Sequence, residues 1–241
     1  MKRILDVVIP VYNEGDNILT AFDLLAKKVK YPFRVIVVYD FDGDTTVKPV
    51  RAYIKSRKNK LNVVLHKNSI GRGALNAIKS GLAFAEAEFI VVTMADLSDP
   101  PEVINDMIKI AQSEKADVVC GSRYMKGGSQ KGGPFLKRTL SRLAGISLWY
   151  VTSLPTHDVT NSFKLYRRSF IRKVTIESTG GFELGMEIVI KAWRWGYKVV
   201  EVPTSWKDRA AGKSNFKLWK WLPSYLHWYF FALFGGSKKT K

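Results

Sequence analysis

The sequence predicts an α/β fold with a mostly parallel central sheet and helices on both faces. Three observations predict it: short β-branched apolar runs, apolar residues at helical spacing between them, and polar clusters that follow the runs. Ile4–Ile9 is such a run, ended by Pro10, and reads as a buried strand. After Glu14-Gly15-Asp16, the positions Ile18, Phe22, Leu25 and Val29 recur at helical spacing. Arg34–Tyr39 and Leu61–Leu65 read as the second and third strands. The polar loop Asp40-Phe41-Asp42-Gly43-Asp44-Thr45-Thr46 and a helix around Val50–Arg57 lie between them. Gly73–Ala87 is Ala-rich and helical in pattern, and Phe89–Met94 is a strand ending at Ala95-Asp96. Pro100 and Pro101 open a helix with Val103, Met107, Ile110 and Ala111 on one face, and Asp117–Gly121 is a further strand. Ligands of such sheets bind beyond the carboxyl ends of the strands.

The chain of 241 residues, 46% hydrophobic and 25% charged, is long enough for one full core, which excludes a collagen-like or wholly disordered protein. A single cysteine, Cys120, excludes an internal disulfide and a Cys-rich zinc module. His66, His157 and His227 are too far apart for a local metal motif. Met1 to Gly15 carries Asp6 inside a short apolar run and does not read as a signal peptide, so a cytosol-facing protein is expected. The net charge of +18 is concentrated: residues 1–120 carry +2, 121–175 carry +10 and 206–241 carry +7. Such an excess attracts nucleic acid, anionic membrane or a phosphorylated substrate. The near-neutral first half and its acidic loops argue against a nucleic-acid partner.

Tyr12-Asn13-Glu14, Asp40–Asp44 and Asp96-Leu97-Ser98-Asp99 each follow a strand, so all three gather on one edge of the sheet. Taken singly they are ordinary turn formers or helix caps. Together, carboxylates on a strand edge suit a hard divalent cation that neutralises a diphosphate. No Walker-type loop is present, and Gly71-Arg72-Gly73 lacks the spacing of a dinucleotide fingerprint.

The residues now quoted carry a resemblance. Val7-Val8-Ile9-Pro10-Val11-Tyr12-Asn13-Glu14, the Asp40 loop, Gly71-Arg72-Gly73-Ala74-Leu75-Asn76-Ala77, Met94 to Pro101 and Gly121-Ser122-Arg123-Tyr124 resemble a family 2 glycosyltransferase, nearest the dolichyl-phosphate mannose synthase branch. Asp158 to Phe163, Gly181-Phe182-Glu183 and Glu201 to Ser214 continue it in order. The resemblance implies a GT-A fold, a GDP- or UDP-sugar donor, Mg2+ or Mn2+, and inversion at the anomeric carbon. It also implies roles by position. Pro10, Tyr12 and Glu14 line the nucleotide pocket, Asp40 holds base or ribose, and the turn from Gly71 to Asn76 passes beneath the nucleotide. Asp96 is the main metal ligand, with Ser98 or Asp99 completing the site. The pattern departs at Met94, where the motif has its first Asp, and at Ser98, where mannose synthases have Gln.

On the acceptor side, Arg123, Lys137, Ser141 and Arg209 match positions that hold the acceptor phosphate in the lipid-phosphate branch. Lys213 belongs to the same set, in a stretch from Arg209 to Ser214 that is similar to the family's mobile loop. Arg138 and Arg142, at one-turn spacing, extend the basic face. A polyprenyl phosphate acceptor is preferred; a sugar hydroxyl is the alternative and needs a base, for which Asp158 and Glu183 are the candidates. Asp96, Arg123 and Arg209 are the expected catalytic residues. A catalytically dead relative acting as a scaffold is the remaining reading, kept open by Met94.

Residues 1–216 are expected to form the catalytic domain and 217–241 an aromatic, basic extension. The run from Leu218 to Phe234 holds Lys220, Pro223 and His227 and is too short and polar for a membrane span. Its Trp and Tyr, with Lys217, Lys238, Lys239 and Lys241 beside them, suit an in-plane anchor on the cytoplasmic face of a membrane. The other reading is a helix pair packed on the catalytic domain or on a dimer partner.

Overall fold

The structure, a computed structural model, describes residues 3–56, 61–96, 98–208 and 218–236. The first half runs β1 (Leu5–Pro10), α1 (Ile18–Lys28), β2 (Phe33–Tyr39), α2 (Val47–Lys55), β3 (Asn62–Lys67), α3 (Ala74–Phe84), β4 (Phe89–Val92), α4 (Val103–Ser113) and β5 (Val118–Ser122). The second half runs β6 (Ser129–Lys131), α5 (Phe135–Thr152), β7 (Lys164–Arg167), α6 (Arg168–Ile171), α7 (Leu184–Arg194), β8 (Val199–Pro203), β9 (Ser205–Lys207) and α8 (Leu218–Phe234). Seven strands form one sheet in the order β3-β2-β1-β4-β7-β5-β8. All its pairings are parallel except those of β7, which runs antiparallel to both β4 and β5. β6 and β9 pair in parallel as a separate ribbon.

The period-two alternation of the strands sorts the core into two layers. Leu5, Val7 and Ile9 of β1, with Val35 and Val37 of β2, face α1, α2 and α4. Val8, Ile36 and Val38 face the opposite layer, with α3, α7 and parts of α5 and α8. Asp6 also points inward at the amino end of β1. It receives two bonds of 2.9 Å from Arg34 and backbone N–H bonds from Glu86 and Ala87. Burial opposes its charge, but these donors more than offset that and hold the carboxyl below its usual range.

Most strands predicted from the sequence form within two residues of their expected ends. The helix after Pro100-Pro101 begins only at Val103: the Pro100 and Pro101 carbonyls accept from Val103 and Ile104, three residues on, which makes a turn before the first α-helical bond. The second helix starts three residues earlier than expected, at Val47. Strand β4 is shorter than expected and releases Met94 at Val92, and Met94 packs partly buried on the second core layer.

α8 is seated on the domain. Trp228 and Ala232 are buried in the second core layer. On α7, Lys191 reaches Glu187 (2.5 Å) and Glu177 (2.6 Å) and lies 5.0 Å from the Trp228 ring centroid. Arg194 donates to the carbonyls of Ala232 and Gly235 at the carboxyl end of α8. A Ser147–Tyr229 hydrogen bond of 2.9 Å ties α8 to α5. No described helix is long and apolar enough to cross a membrane.

Candidate active site

Parallel pairing of β1, β2 and β4 brings the three expected polar clusters to one edge. The chain leaves β1 at Pro10, Tyr12 projects 58% exposed, and Asn13 takes a left-handed φ of 56°. The loop after β2 braces that turn: Asn13 N–H donates to Asp44 Oδ2 (3.0 Å) and Glu14 N–H to Thr46 Oγ1 (2.9 Å). Glu14 Oε2 accepts from Asn17 at the start of α1 (2.7 Å). Asp40 is a clamp. Its Oδ1 accepts from Asn68 (2.8 Å) and its Oδ2 from the Gly73 N–H (2.7 Å), while Asn68 also binds the Gly71 carbonyl. Gly71 and Gly73 adopt φ of 149° and 110°, and a Cβ on Gly71 would meet Asn76 Nδ2 at 2.9 Å, so the turn requires glycine there. Asn76 donates to the Arg72 carbonyl (3.3 Å). Beside this turn the Phe41 ring meets Tyr12 edge-on at 6.0 Å and the Arg72 guanidinium at 5.7 Å.

Asp96 lies just past β4, half-buried, its Oδ1 accepting from Ser98 N–H (3.1 Å). Asp99 is buried, and its Oδ1 accepts from Asn161 (3.2 Å). Burial pushes its pKa up to about 7. Among the described residues no three His, Cys, Asp or Glu gather as a metal cluster. The donor set fits a hard cation held by the Asp96 carboxylate and completed by diphosphate oxygens and water, the usual way of holding Mg2+. Asp99, engaged by Asn161, is the less available of the two carboxylates.

The basic side of the site is built around Arg123, which follows β5. Its Nε donates to Asp158 Oδ2 (2.6 Å), its Nη2 to Asp158 Oδ1 (2.9 Å), and its backbone N–H to Oδ2 (3.1 Å). Nη2 also reaches Ser141 (3.0 Å) and Thr160 (3.2 Å). Burial opposes both charges of the pair, yet their mutual attraction prevails, raising the Arg123 pKa and lowering that of Asp158. Tyr124 lies under the guanidinium at 4.9 Å; its hydroxyl donates to Gln130 Oε1 (2.9 Å) and is hydrogen-bonded with the Ser141 hydroxyl (3.0 Å). Ser141 sits on α5, whose first turn carries Lys137. A Cβ on Gly145 would come within 2.1 Å of the His157 carbonyl, so α5 can lie this close to the Asp158 loop only with glycine there. Glu183 is buried, its two oxygens accepting from the Gly180 and Gly181 N–H groups (2.7 and 2.6 Å).

The ribbon joins these parts. Lys207 N–H donates to the Ser98 carbonyl (3.0 Å), and Asp208 Oδ2 accepts from the Gly133 N–H just before α5 (3.1 Å). The chain thus leaves β9 held between the Asp96 loop and the start of α5. Arg209 and Lys213 lie outside the described residues. Pro10, Tyr12, Glu14, Asp40, Gly71, Asn76 and Asp96 fall on one edge as expected, and Arg123 and Ser141 are in direct contact. The sequence reading gave no role to Asn68, Thr160 and Asn161 as organisers, although Thr160 and Asn161 lie in the Asp158 to Phe163 stretch that carries the resemblance; Asn68 is marked only by its place just after a strand.

Residues 6–175 match the family model described as glycosyl transferase family 2. The chain is 32% identical over 219 residues to a dolichol-phosphate mannosyltransferase from Pyrococcus furiosus, covering 88% of this chain and 59% of the relative. It is 26% identical over 215 residues to a polyprenol monophosphomannose synthase from Mycolicibacterium smegmatis, covering 87% of this chain and 79% of that protein. The chain therefore spans about three fifths of the Pyrococcus relative. Among solved structures, it is similar in fold to glucosyl-3-phosphoglycerate synthase from Mycobacterium tuberculosis, crystallised with Mn2+, UDP and glucosyl-3-phosphoglycerate. The TM-score is 0.68 at 16% identity, covering 99% of this chain and 81% of that one. The α/β architecture with its mostly parallel sheet is thus of the GT-A type.

Proposed function

The chain belongs to glycosyl transferase family 2, and on that premise we propose that it is an inverting glycosyltransferase moving one sugar from a nucleoside-diphosphate sugar to a polyprenyl phosphate. Its similarity to two polyprenol-type mannosyltransferases supports this acceptor class. The observation that carries the reading is how the two candidate bases are engaged. Asp158 is bound by Arg123, Thr160 and the Asn161 N–H, and Glu183 by two backbone N–H groups. A sugar hydroxyl needs a base to take its proton, whereas a phosphate monoester arrives as an anion and attacks the anomeric carbon unaided.

In this account the loops after β1 and β2 and the Gly71 turn receive the nucleotide, with Tyr12 and Phe41 offering ring surface to a GDP- or UDP-type donor. Asp96 would hold Mg2+ or Mn2+ with the diphosphate, where the cation supplies charge neutralisation for the departing group. Arg123, Lys137 and Ser141 serve the acceptor phosphate, and the same role is proposed for Arg209 and Lys213, which lie outside the described residues. Because Arg123 is spent largely on Asp158, its part is to fix the Ser141 and Thr160 hydroxyls and to lend positive potential, while the grip on phosphate falls to the other basic groups.

A lipid acceptor also explains an apolar surface shared by two adjoining helices. α8 exposes Trp219, Pro223, Leu226, Phe230 and Phe234 along one stripe, and α5 exposes Phe135, Leu136, Leu143 and Tyr150. Arg142 and Lys220 are exposed beside them. This surface lies in the plane of an anionic membrane, on its cytoplasmic face, with aromatic rings at headgroup depth. The extension is therefore both core and anchor: one side of α8 packs on α7, and the other meets lipid.

The test is transfer from a panel of radiolabelled nucleotide sugars, with Mg2+ or Mn2+, to a short polyprenyl phosphate. Labelled lipid from one of them supports the proposal and names the donor. Label found only in free sugar or on a glycan would overturn the acceptor.

A further inference from the structure

Donor and acceptor groups come from loops that follow different strands: Asp96 after β4, Arg123 after β5. These strands are not neighbours, because β7 lies between them. β7 is antiparallel to both, so its amino end falls at their carboxyl ends, and the loop entering it, 158–163, sits between the two halves of the site. The side chain at the middle of that loop is Asn161, buried.

Every polar group of Asn161 is engaged. Nδ2 donates to Asp99 Oδ1 on the Asp96 loop (3.2 Å) and to the Gly121 carbonyl two residues before Arg123 (3.0 Å). Oδ1 accepts from the Phe163 N–H (3.3 Å), and the backbone N–H donates to Asp158 Oδ1 (3.1 Å), the oxygen that also binds Arg123 Nη2. The backbone carbonyl accepts from buried Lys164. An amide NH2 has two hydrogens, and here one goes to each half. Asp has no such donor, Ser is too short to span both, and Leu would leave the buried Asp99 oxygen and Gly121 carbonyl without this partner. Gly121 is held as tightly from the other side: a Cβ there would meet Phe163 Cδ1 at 2.8 Å.

We propose that Asn161, through Asp99 and Gly121, is a positioning residue that holds the donor and acceptor halves of the site in one register. This rests on the sugar-transfer reading above and adds a residue to it. Neither Asn161 nor Asp99 need touch a substrate; in-line attack depends on two loops keeping their spacing, and a shift of about 1 Å is enough to cost about a hundredfold in rate.

The test uses the full chain and three variants, Asn161→Ala, Asp99→Ala and the double variant. Thermal unfolding, calorimetric binding of UDP and GDP with Mn2+, and steady-state transfer to a short polyprenyl phosphate are measured on each. In both single variants kcat is expected to fall about tenfold or more, while nucleotide affinity and the KM for polyprenyl phosphate stay within about threefold. The double variant is expected to be no slower than the slower single one, since both break the same bond. If Asn161→Ala does not fold, Asp99→Ala carries the same reading. Wild-type turnover in a folded single variant, a tenfold loss of nucleotide affinity in Asp99→Ala, multiplying losses in the double variant, or failure of both single variants to fold would each overturn the proposal. A wild-type chain that transfers no sugar to polyprenyl phosphate counts against the functional reading instead, and the same kcat ratios are then read from hydrolysis of the nucleotide sugar.

Discussion

At the ends of β1 and β2, the loops brace one another through single polar bonds: Asp44 holds Asn13, Thr46 holds Glu14, and Asp40 holds the Gly73 turn. Around Arg123, by contrast, the loop after α5 and α5 itself bring Asp158, Thr160 and Ser141 onto one largely buried guanidinium. Tyr12 projects into water beside the loops after β1 and β2, whereas the side chains of Arg123 and Asp158 are largely buried and α5 and α8 expose apolar residues. In the proposed function the first suits a soluble nucleotide and the second a lipid acceptor, and the two differ in how each satisfies its polar groups.

The sharpest way to separate the two sides is Asp96→Ala. It is expected to cut turnover by about a thousandfold, the several kcal/mol a cation contributes to a departing group, and to abolish metal-dependent nucleotide binding by calorimetry. Full turnover would remove Asp96 from the donor site. On the acceptor side, Asp158→Ala strands a buried guanidinium and is expected to cost about 3–5 kcal/mol in urea unfolding, with nucleotide binding retained in the folded fraction. Loss of nucleotide binding there would erase the distinction between the sides.

A control lies at the opposite end of β1. The lowered pKa of Asp6 means that its contribution to stability is full above the ordinary carboxylate value and is lost as pH falls through the folded one. Asp6→Asn is expected to destabilise by about 3 kcal/mol at neutral pH and to flatten the acid limb of a melting-temperature profile, with kcat unchanged. The smallest effect is on the apolar face. Replacing Trp219, Phe230 and Phe234 by Ser is expected to weaken sedimentation with anionic liposomes about tenfold and to spare turnover in detergent. Unchanged sedimentation would take the membrane away from α8.

The donor edge was legible because its signals are local. β-Branched runs mark β1, β2 and β4, and the acidic clusters after them fall on one edge as soon as the strands are parallel. On the other side, Arg123, Lys137, Ser141 and Asp158 were legible as matching residues, but the contacts that assemble them were not, because those are tertiary. β7 is four residues long, carries a buried Lys164, and reverses direction, so no pattern announces that it separates β4 from β5. Asn161 and Thr160 stand in the Asp158 to Phe163 stretch that carries the resemblance, but their partners appear only once that strand is in place. The aromatics of α8 look alike in sequence, yet Trp228 is core and Phe234 is 80% exposed, a split set by where α7 lies.

The most direct measurement is a competition between two acceptors of equal chain length, a polyprenyl phosphate and the corresponding free polyprenol, with one labelled nucleotide sugar and purified full chain. With Asp158 and Glu183 engaged, the account predicts label on the phosphate alone, with the alcohol neither labelled nor needed. Label on the free alcohol at a comparable rate would contradict it, because that transfer requires a base and both candidates for that role, Asp158 and Glu183, are held by other groups.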